Sequence, residues 1–282
     1  MKKILKIIYT ISLPVFIVGS MLNLGLSLTF KDILKPLKNI KLVLMALVLN
    51  FIVVPIITVG IINIMNIDEG VKIALIVLSL SAGAPFLPKL AEISKADIGE
   101  SIGIMILLMV GTIFYLPIIL PVIMEGVSIN PLEIAQSLIK LMLIPLFGAL
   151  IFHSKMKEAS KKLAILTKKI SNYALLLLTI TLITLNFKSV LSLFGLNLLA
   201  LTLFILLAIF SGYLLGGKNK TILSLSNGQR NISAAMIVLT QNFSELPTAI
   251  VAVVVMAIYG LVIMFPIAKL LSGNKPNILI KI

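Results

Sequence analysis

The chain has 282 residues, of which 60% are hydrophobic and 12% are charged, and its mean hydropathy is +1.18. No soluble core of this size could bury that much apolar surface, so the composition excludes a soluble globular protein and indicates a polytopic membrane protein. The net charge is +14, but the lysines form short clusters between apolar runs and so indicate membrane topology, not a nucleic-acid partner. The chain has no cysteine and one histidine, which argues against disulfides, thiolate chemistry and a metal centre.

A membrane-spanning helix needs about 20 apolar residues, and the sequence predicts nine such spans joined by short loops. In chain order they are 4–29, 40–65, 70–92, 98–124, 134–153, 168–187, 193–216, 219–242 and 246–271. The first begins behind Lys2, Lys3 and Lys6, as a signal peptide would, but its apolar run contains no small-residue cleavage site. We therefore expect it to be a retained span in a single all-α membrane domain.

The loops alternate in charge from one membrane side to the other. One set is rich in lysine: Lys31, Lys35, Lys38, Lys41, Lys155, Lys157, Lys161, Lys162, Lys168, Lys169, Lys218, Lys220, Lys269, Lys275 and Lys281. The other set is acidic or nearly uncharged, with Asp68, Glu69, Glu125, Glu133, Lys188 and Glu245. The positive-inside rule then places the N-terminus outside and the C-terminus in the cytoplasm, although the N-terminal lysines locally oppose this orientation.

Two of the predicted spans contain residues that interrupt a helix. In the third span, Gly83, Pro85 and Pro88 disrupt the backbone hydrogen bonds. In the eighth, residues 224–231 carry short polar side chains that compete for backbone groups, and Gly228 permits unusual dihedral angles. Lipid cannot satisfy the freed N–H and C=O groups, so both breaks must be buried in protein or line a water-filled cavity.

Interrupted helices at corresponding places in two halves are typical of secondary transporters, which bind their substrate near the membrane midplane. Spans 1–4 and 6–9 can form inverted repeats around the fifth span, which indicates a ten-helix ancestor without its first helix. The alternatives are a proline kink for the first break and a cytoplasmic loop for the second. A loop at the second break would leave flanking apolar segments too short to span.

The second break contains Arg230, the only arginine in the chain. A guanidinium at bilayer depth costs several kcal/mol unless it faces water or a partner, so its presence indicates a functional site. The half-helix that begins near Asn231 would direct its partially positive N-terminus into the cavity beside Arg230. Together they predict an anionic ligand such as a carboxylate or a sulfonate.

Other polar residues within the spans allow two interpretations each. Lys89 and Glu92 are three residues apart and can neutralise each other. Glu100 either stabilises the N-terminus of its helix or carries a proton. Asn50 either hydrogen-bonds between helices or coordinates an ion. Lys140 extends to the interface or pairs, or else contacts the substrate.

The sequence contains no recognisable catalytic motif. It has neither a Gly-rich phosphate loop after a strand nor a His-Glu-x-x-His sequence, and with His153 as the sole histidine no Ser/His/Asp set is plausible. We therefore expect a protein that is not an enzyme and that has no organic cofactor.

Several of these segments together resemble one transporter family. They are Met21–Thr29, Asn50-Phe51 with Pro55, Ser81–Ala84 continuing to Lys95-Ala96-Asp97, Lys140 with Pro145 and His153, Gly212–Gly216, and Gly228 with Asn231. In these segments the sequence resembles the bile acid:sodium symporter family, and the resemblance extends over nearly the whole chain. The resemblance identifies a bacterial-type member that lacks the first helix of the ten-helix fold.

The resemblance implies a fold in which two broken helices cross and in which one part moves against another. The core would comprise about residues 40–124 and 193–271, and the panel about 4–29, 134–153 and 168–187. Alternating access between them would carry a small or amphipathic organic anion, bile-acid-like or an organic acid, across the bacterial plasma membrane. A channel or a sensor with the same fold is the alternative.

At the crossing we predict two sets of site residues. The substrate set is Arg230, Asn231, Gly228, Gln229, Ser233, Gly83, Ala84, Pro85, Phe86 and Lys89. The ion-coupling set is Asn50, Ser101, Ser226, Asn227 and Glu100.

The resemblance also shows how this chain departs from the sodium-coupled members. Their first sodium site uses a Ser-Asn pair that falls here on Leu87 and Pro88, a serine at Ser101, and a threonine that falls on Met105. Leucine, proline and methionine supply no suitable oxygen. At most a weak sodium site is therefore expected there.

The second sodium site of those members falls on the second break. It uses a glutamine at Asn50, a glutamate that falls on Ser226, backbone carbonyls at Asn227 and Gln229, and a glutamine that falls on Arg230. A fixed cation within a few ångströms would repel a sodium ion. We therefore hypothesise that Arg230 takes over the electrostatic role of sodium, so that the carrier is sodium-independent or proton-coupled. The family resemblance keeps sodium beside protons as a candidate coupling ion.

Overall fold

The computed structural model describes residues 2–34, 38–124 and 130–273, and within these ranges the chain forms helices and no strand. Lys35, Glu125, Lys275 and Lys281, which the predicted topology also uses, lie outside the described residues. In chain order the helices are α1 (Lys2–Ser27), α2 (Phe30–Leu34), α3 (Ile40–Val48), α4 (Val54–Ile64), α5 (Glu69–Leu80), α6 (Leu87–Ile93), α7 (Ile98–Ile123), α8 (Pro131–Leu138), α9 (Ile144–Lys155), α10 (Lys157–Leu185), α11 (Phe187–Ser192), α12 (Leu196–Leu215), α13 (Lys220–Gly228), α14 (Ile232–Asn242) and α15 (Pro247–Leu271). Single π-helical turns at Leu49–Val53 and Ile139–Leu143 join α3 to α4 and α8 to α9.

Continuous helices account for most of the predicted spans. In the described part of the chain, seven stretches are long and apolar enough to cross a membrane: Lys3–Ser27, Ile40–Ile64, Ile98–Ile123, Pro131–Lys155, Lys157–Leu185, Leu196–Leu215 and Pro247–Leu271. The two remaining predicted spans are broken into α5 with α6 and α13 with α14. The prediction of an all-α polytopic membrane protein with two broken helices is confirmed.

One boundary differs clearly from the prediction. Helix α10 begins at Lys157, well before the predicted start at residue 168. Its first turns carry lysines and an ion pair between Lys161 Nζ and Glu158 Oε1 at 2.8 Å, on an exposed surface. Hydropathy reports only the part of a helix that lies in lipid, whereas a polar helix can continue into water on side-chain pairs and intrinsic propensity.

The first broken helix lies at the centre of the bundle. Helix α5 is capped by Asp68, whose side chain accepts from the Gly70 N–H at 2.9 Å, and nearly every residue from Gly70 to Leu80 is buried. In the second broken helix, residues 222–228 of α13 and 233–239 of α14 are buried as well. A helix that is buried on all sides has no lipid-facing stripe, so the breaks are enclosed by protein, as their backbone chemistry requires.

The two broken helices cross, because α14 packs against α5 and α13 packs against α6. Close backbone approaches hold this crossing. Gly83 has a φ of +79°, and a Cβ atom built on it would lie 2.1 Å from the backbone nitrogen of Met109 in α7. A Cβ atom on Gly212 of α12 would lie 2.5 Å from the Ser224 nitrogen in α13.

A second group of helices packs around α1. Helix α1 contacts α9 and α10 along much of its length, and a Cβ atom on Gly25 would meet the Leu146 carbonyl oxygen at 2.2 Å. The Ser171 hydroxyl of α10 donates to the Phe16 carbonyl at 3.1 Å. These are the helices predicted as the panel; that they move as a unit stays a prediction.

Replacing Gly83 by alanine should lower the free energy of unfolding by about 3 kcal/mol or more, since a left-handed residue would carry a side chain that overlaps the α7 backbone. Thermal unfolding of the purified protein measures the change.

The matched control is Gly60→Ala in α4, where a Cβ atom would meet no atom within 4 Å. Alanine at this helical position should be neutral or stabilising by about 0.5–1 kcal/mol. Equal effects of the two substitutions would show that the break at Gly83 imposes no special constraint.

Candidate functional site

The backbone groups freed at the first break are satisfied by side chains from other helices. Between α5 and α6, Ala82 is held by Thr112 of α7, whose hydroxyl accepts from the Ala82 N–H at 2.9 Å and donates to the Ala82 carbonyl at 3.1 Å. A single threonine therefore replaces two helical hydrogen bonds at the centre of the bundle.

Asn231 joins the second break to the first. Its backbone N–H donates to the Ser81 carbonyl at 2.8 Å, and its side-chain amide donates to the Gly83 carbonyl at 3.2 Å. Its side-chain oxygen caps α14 by accepting from the Ala234 N–H at 3.1 Å. One buried residue thus fixes the crossing and directs the N-terminus of α14, whose first N–H groups have no partner within the helix.

Arg230 lies between these elements and is only 4% exposed. Its Nη2 donates to the Asn50 side-chain oxygen at 2.7 Å, to the Ser226 carbonyl at 3.2 Å and to the Asn227 carbonyl. Its Nη1 lies 3.4 Å from the Ser79 carbonyl. Within the described residues no carboxylate lies at ion-pair distance from this guanidinium, so neutral oxygens alone stabilise its charge.

A network behind Arg230 sets the direction of these oxygens. Asn50 lies in the π-helical turn Leu49–Val53, and its amide nitrogen donates to the Ala46 carbonyl at 3.0 Å and to the Asn227 side-chain oxygen at 2.9 Å. The Asn227 amide nitrogen donates in turn to the Ser211 hydroxyl at 3.1 Å. With its nitrogen committed in this way, Asn50 presents its oxygen to Arg230.

A cavity of about 440 Å³ lies next to Arg230. The breaks contribute Ala84, Pro85, Phe86 and Lys89 on one side and Gln229, Arg230, Ile232 and Ser233 on the other. The remaining wall comes from α1, α10 and α15, with Phe16, Ser20, Asn23, Leu24, Lys168, Ser171, Asn172, Leu175, Ala257, Leu261 and Phe265. The cavity therefore lies between the crossing and the helices packed around α1.

Among the described residues, the charged groups that line this cavity are all basic: Arg230, Lys89 and Lys168. Lys89 shares its charge with Glu92, because its Nζ lies 2.7 Å from Glu92 Oε2 on a half-exposed surface. Arg230 also has a free donor, since its buried Nε has no hydrogen-bond partner among the residues that the structure describes. The N-terminus of α14 adds a partial positive charge at the same place. The electrostatic field in the cavity favours an anion.

The structure gathers most of the predicted substrate residues around this cavity. Arg230, Gln229, Ser233, Ala84, Pro85, Phe86 and Lys89 line it. Gly83 and Asn231 lie behind the wall and hold the crossing together, and Gly228 lines a separate cavity of about 20 Å³. None of these contacts by itself identifies a substrate.

The predicted ion-coupling residues divide into two groups. Asn50, Ser226 and Asn227 surround the Arg230 guanidinium. Ser101 and Glu100 lie instead in the first turn of α7, where the Ser101 hydroxyl donates to the Ile98 carbonyl at 2.6 Å. The Glu100 N–H donates to the helix-capping Asp97 at 2.8 Å.

Lys140 and His153 lie apart from the cavity. Lys140 is exposed on a π-helical turn. His153 Nδ1 and the Ser160 hydroxyl are 2.9 Å apart, and that hydroxyl donates to the Leu26 carbonyl at 2.8 Å. Because the serine hydrogen is committed to the carbonyl, Nδ1 must carry the proton that joins these two side chains.

Two walls of the cavity, on α10 and on α1, were missed by sequence reasoning. On α10, Lys168, Ser171, Asn172 and Leu175 occupy positions i, i+3, i+4 and i+7, which is one helix face. On α1, Ser20 is followed by Asn23 on a similar face. Polar residues repeating at helical spacing within an apolar span were the available signal.

Comparison with known proteins places this geometry in a family. A model of the family described as the Sodium Bile acid symporter family matches residues 14–193, which is more than half of the chain. The matched region includes the first break and most of α1 to α10, whereas the second break lies beyond it. A search of the curated proteins gave no significant match.

Replacing Asn231 by alanine should lower the free energy of unfolding by about 2 kcal/mol, because it removes a helix cap and leaves the buried Gly83 carbonyl without its partner. Thermal unfolding of the purified variant measures the loss.

Asn242→Ala, in the same helix, is the matched control. Its amide makes one hydrogen bond, to the Val238 carbonyl at 3.0 Å in its own helix, so the change should stay within about 0.5 kcal/mol. A control as destabilised as Asn231→Ala would contradict the role of Asn231 at the crossing.

Proposed function

The chain belongs to the Sodium Bile acid symporter family, a family of transporters, and from this we propose that it is a secondary active transporter that carries a small or amphipathic organic anion across the membrane by alternating access. The observation that carries the proposal is the cavity whose charged lining groups are all basic and whose inner end is formed by Arg230 at the crossing.

The size and the walls of the cavity fit an amphipathic ligand. Its volume of about 440 Å³ lies within the range of about 300–1,000 Å³ that is common for small-molecule sites. Phe16, Leu24, Phe86, Leu261 and Phe265 supply apolar wall, while the positive groups lie at the inner end and near Lys168. A molecule with an apolar body and a carboxylate or sulfonate group satisfies both features.

The anionic group would sit beside Arg230 and the first turn of α14. A buried cation without a carboxylate partner is costly, and an anionic substrate lowers that cost while gaining the free N–H groups of the helix end. Ser233, in the first turn of α14, adds a hydroxyl to the same part of the cavity. Binding of the anionic substrate would thus also give the Arg230 guanidinium a partner of opposite charge.

Alternating access would require the far side of the crossing to be closed while the cavity is open. On that side α8 packs against α7 and α14, and Gln241 Nε2 donates to the Ser137 hydroxyl at 2.9 Å. This contact joins a helix of the predicted core to a helix that leads into the predicted panel. Its separation would accompany opening toward the opposite side.

The lysine distribution supports a cytoplasmic location for the open side. Lys168, which lines the cavity beside Lys89, belongs to the lysine-rich half of the chain's loops and helix ends. By the positive-inside rule that half faces the cytoplasm of a bacterial inner membrane. The structure would then represent the inward-facing state.

Counterflow in proteoliposomes tests the proposal against the alternative of a channel or a sensor. Vesicles loaded with an unlabelled organic anion should transiently accumulate the labelled anion above its external concentration, with saturable rates, because a carrier exchanges one substrate for another. A panel of carboxylates and sulfonates is tested under a sodium gradient, a proton gradient and neither. Linear, non-saturating flux without counterflow would mean a channel, and the absence of any flux across the panel would contradict the proposed anion transport.

Lys168→Gln should raise the KM for the transported anion about fivefold, since removing one positive charge at the cavity wall weakens the attraction by about 1 kcal/mol. The effect should shrink at high ionic strength because salt screens exposed charges. The measurement is the initial uptake rate as a function of substrate concentration.

Lys169→Gln is the matched control, because this neighbouring lysine is exposed on the same helix and is not among the residues that line the cavity. Its KM should stay unchanged. If both variants change KM equally, the general surface charge and not the cavity attracts the substrate.

A reversible crosslink tests alternating access directly, because the chain has no cysteine of its own. In a Ser137→Cys, Gln241→Cys double variant, a short bis-methanethiosulfonate, which joins the two thiols through disulfides, should abolish counterflow by holding the far side closed, and dithiothreitol should restore it by reducing those disulfides. The single Ser137→Cys variant treated in the same way should keep its counterflow. Full transport by the crosslinked protein would rule out opening at this contact.

A further inference from the structure

More oxygens surround the Nη2 atom of Arg230 than its two hydrogens can bond. Nη2 carries two hydrogens, yet three oxygens lie at hydrogen-bond distance from it: Asn50 Oδ1, the Ser226 carbonyl and the Asn227 carbonyl. The Ser79 carbonyl lies next to Nη1. The three oxygens around Nη2 converge on one point, as oxygens do around a small cation.

The oxygens are positioned by interactions that do not involve Arg230. The Ser226 and Asn227 carbonyls belong to the last turn of α13, where carbonyls lack helical partners and carry the negative end of the helix dipole. Asn50 is oriented by its bonds to Ala46 and Asn227. This oxygen cage, formed by Asn50, Ser226, Asn227 and Ser79, should therefore persist when the guanidinium is removed.

We propose that Arg230 is a tethered cation that occupies an oxygen cage in which a free monovalent cation would otherwise bind, and that removing its guanidinium converts the cage into a sodium site. Sodium is a hard cation that prefers oxygen ligands. A guanidinium and a sodium ion cannot share the cage, because their charges would repel at contact distance. The unmodified protein therefore binds no sodium at this position.

The consequence for transport rests on the proposed function, whereas the cage itself does not. If the protein carries an organic anion, Arg230 supplies permanently the positive charge that a co-bound sodium ion would supply. Transport by the unmodified protein should then proceed equally well in sodium and in choline salts. Transport by an Arg230→Ala variant should depend on sodium.

Thermal unfolding in matched salts tests the cage without a substrate. Unmodified protein, Arg230→Ala and Arg230→Lys are compared in sodium, potassium and choline chloride at equal ionic strength. Arg230→Ala should gain roughly 3 °C or more in Tm at sodium concentrations near ten times its Kd, relative to choline. The unmodified protein and the lysine variant, which keeps a tethered cation, should show the same Tm in all three salts.

The double variant Arg230→Ala, Asn50→Leu removes one cage oxygen and should lose the sodium effect. If Arg230→Ala does not fold, Arg230→Gln replaces it, since its neutral side chain also vacates the charge. Two results would overturn the proposal: specific stabilisation of the unmodified protein by sodium, or a folded neutral variant that is indifferent to sodium.

The two proposals fail in distinguishable ways. Absence of counterflow with every anion tested, together with a sodium-stabilised Arg230→Ala variant, would reject the transport function and leave the tethered cation standing. Counterflow by an unmodified protein whose Tm rises specifically in sodium would support the transport function and reject the tethered cation.

Discussion

A charge buried at the middle of a membrane protein must find oxygens that do not already serve the backbone. Arg230 is only 4% exposed. A helix that ran unbroken past it could not supply free carbonyls. The break after α13 releases the Ser226 and Asn227 carbonyls, and the end of α5 places the Ser79 carbonyl nearby. The guanidinium and the broken helices therefore complement each other: the carbonyls that the breaks release bind the cation, and a cation buried at this depth would be costly without them.

The second break separates two opposite electrostatic environments within a few residues. The C-terminus of α13 presents carbonyls and is occupied by a cation, while the N-terminus of α14 presents N–H groups toward the cavity. Asn231 fixes both helix ends relative to the first break. The proposed anion site beside the cation would thus be assembled mainly from backbone, with few specialised side chains.

The large features of this fold could be predicted from hydropathy because each depends on local composition. The spans are apolar, and Gly83 with its neighbouring prolines interrupts the helix whatever its packing partners are. The position of α10's start could not be read in the same way, since Lys157 to Lys162 form a helix outside the apolar region. The family resemblance predicted that Asn50, Ser226 and Asn227 belong to one site with Arg230. It equally predicted Ser101 as a site residue, but the fold places Ser101 in the first turn of α7. The polar residues at helical spacing on α1 and α10 mark a face of each helix, but nothing local indicates that these faces meet at the cavity, because that depends on how distant helices pack.

A cation that is covalently part of the chain cannot leave with the substrate. Under the proposed function, each transport cycle would then move only the charge of the anion itself and would be electrogenic. An interior-negative membrane potential contributes about 2.3 kcal/mol per elementary charge for every 100 mV, and for a monovalent anion this energy favours outward movement. If the protein carries a monovalent anion as proposed, the attachment of Arg230 to the backbone would bias net flux toward export, and concentrative uptake would need a cation such as a proton to travel with the anion.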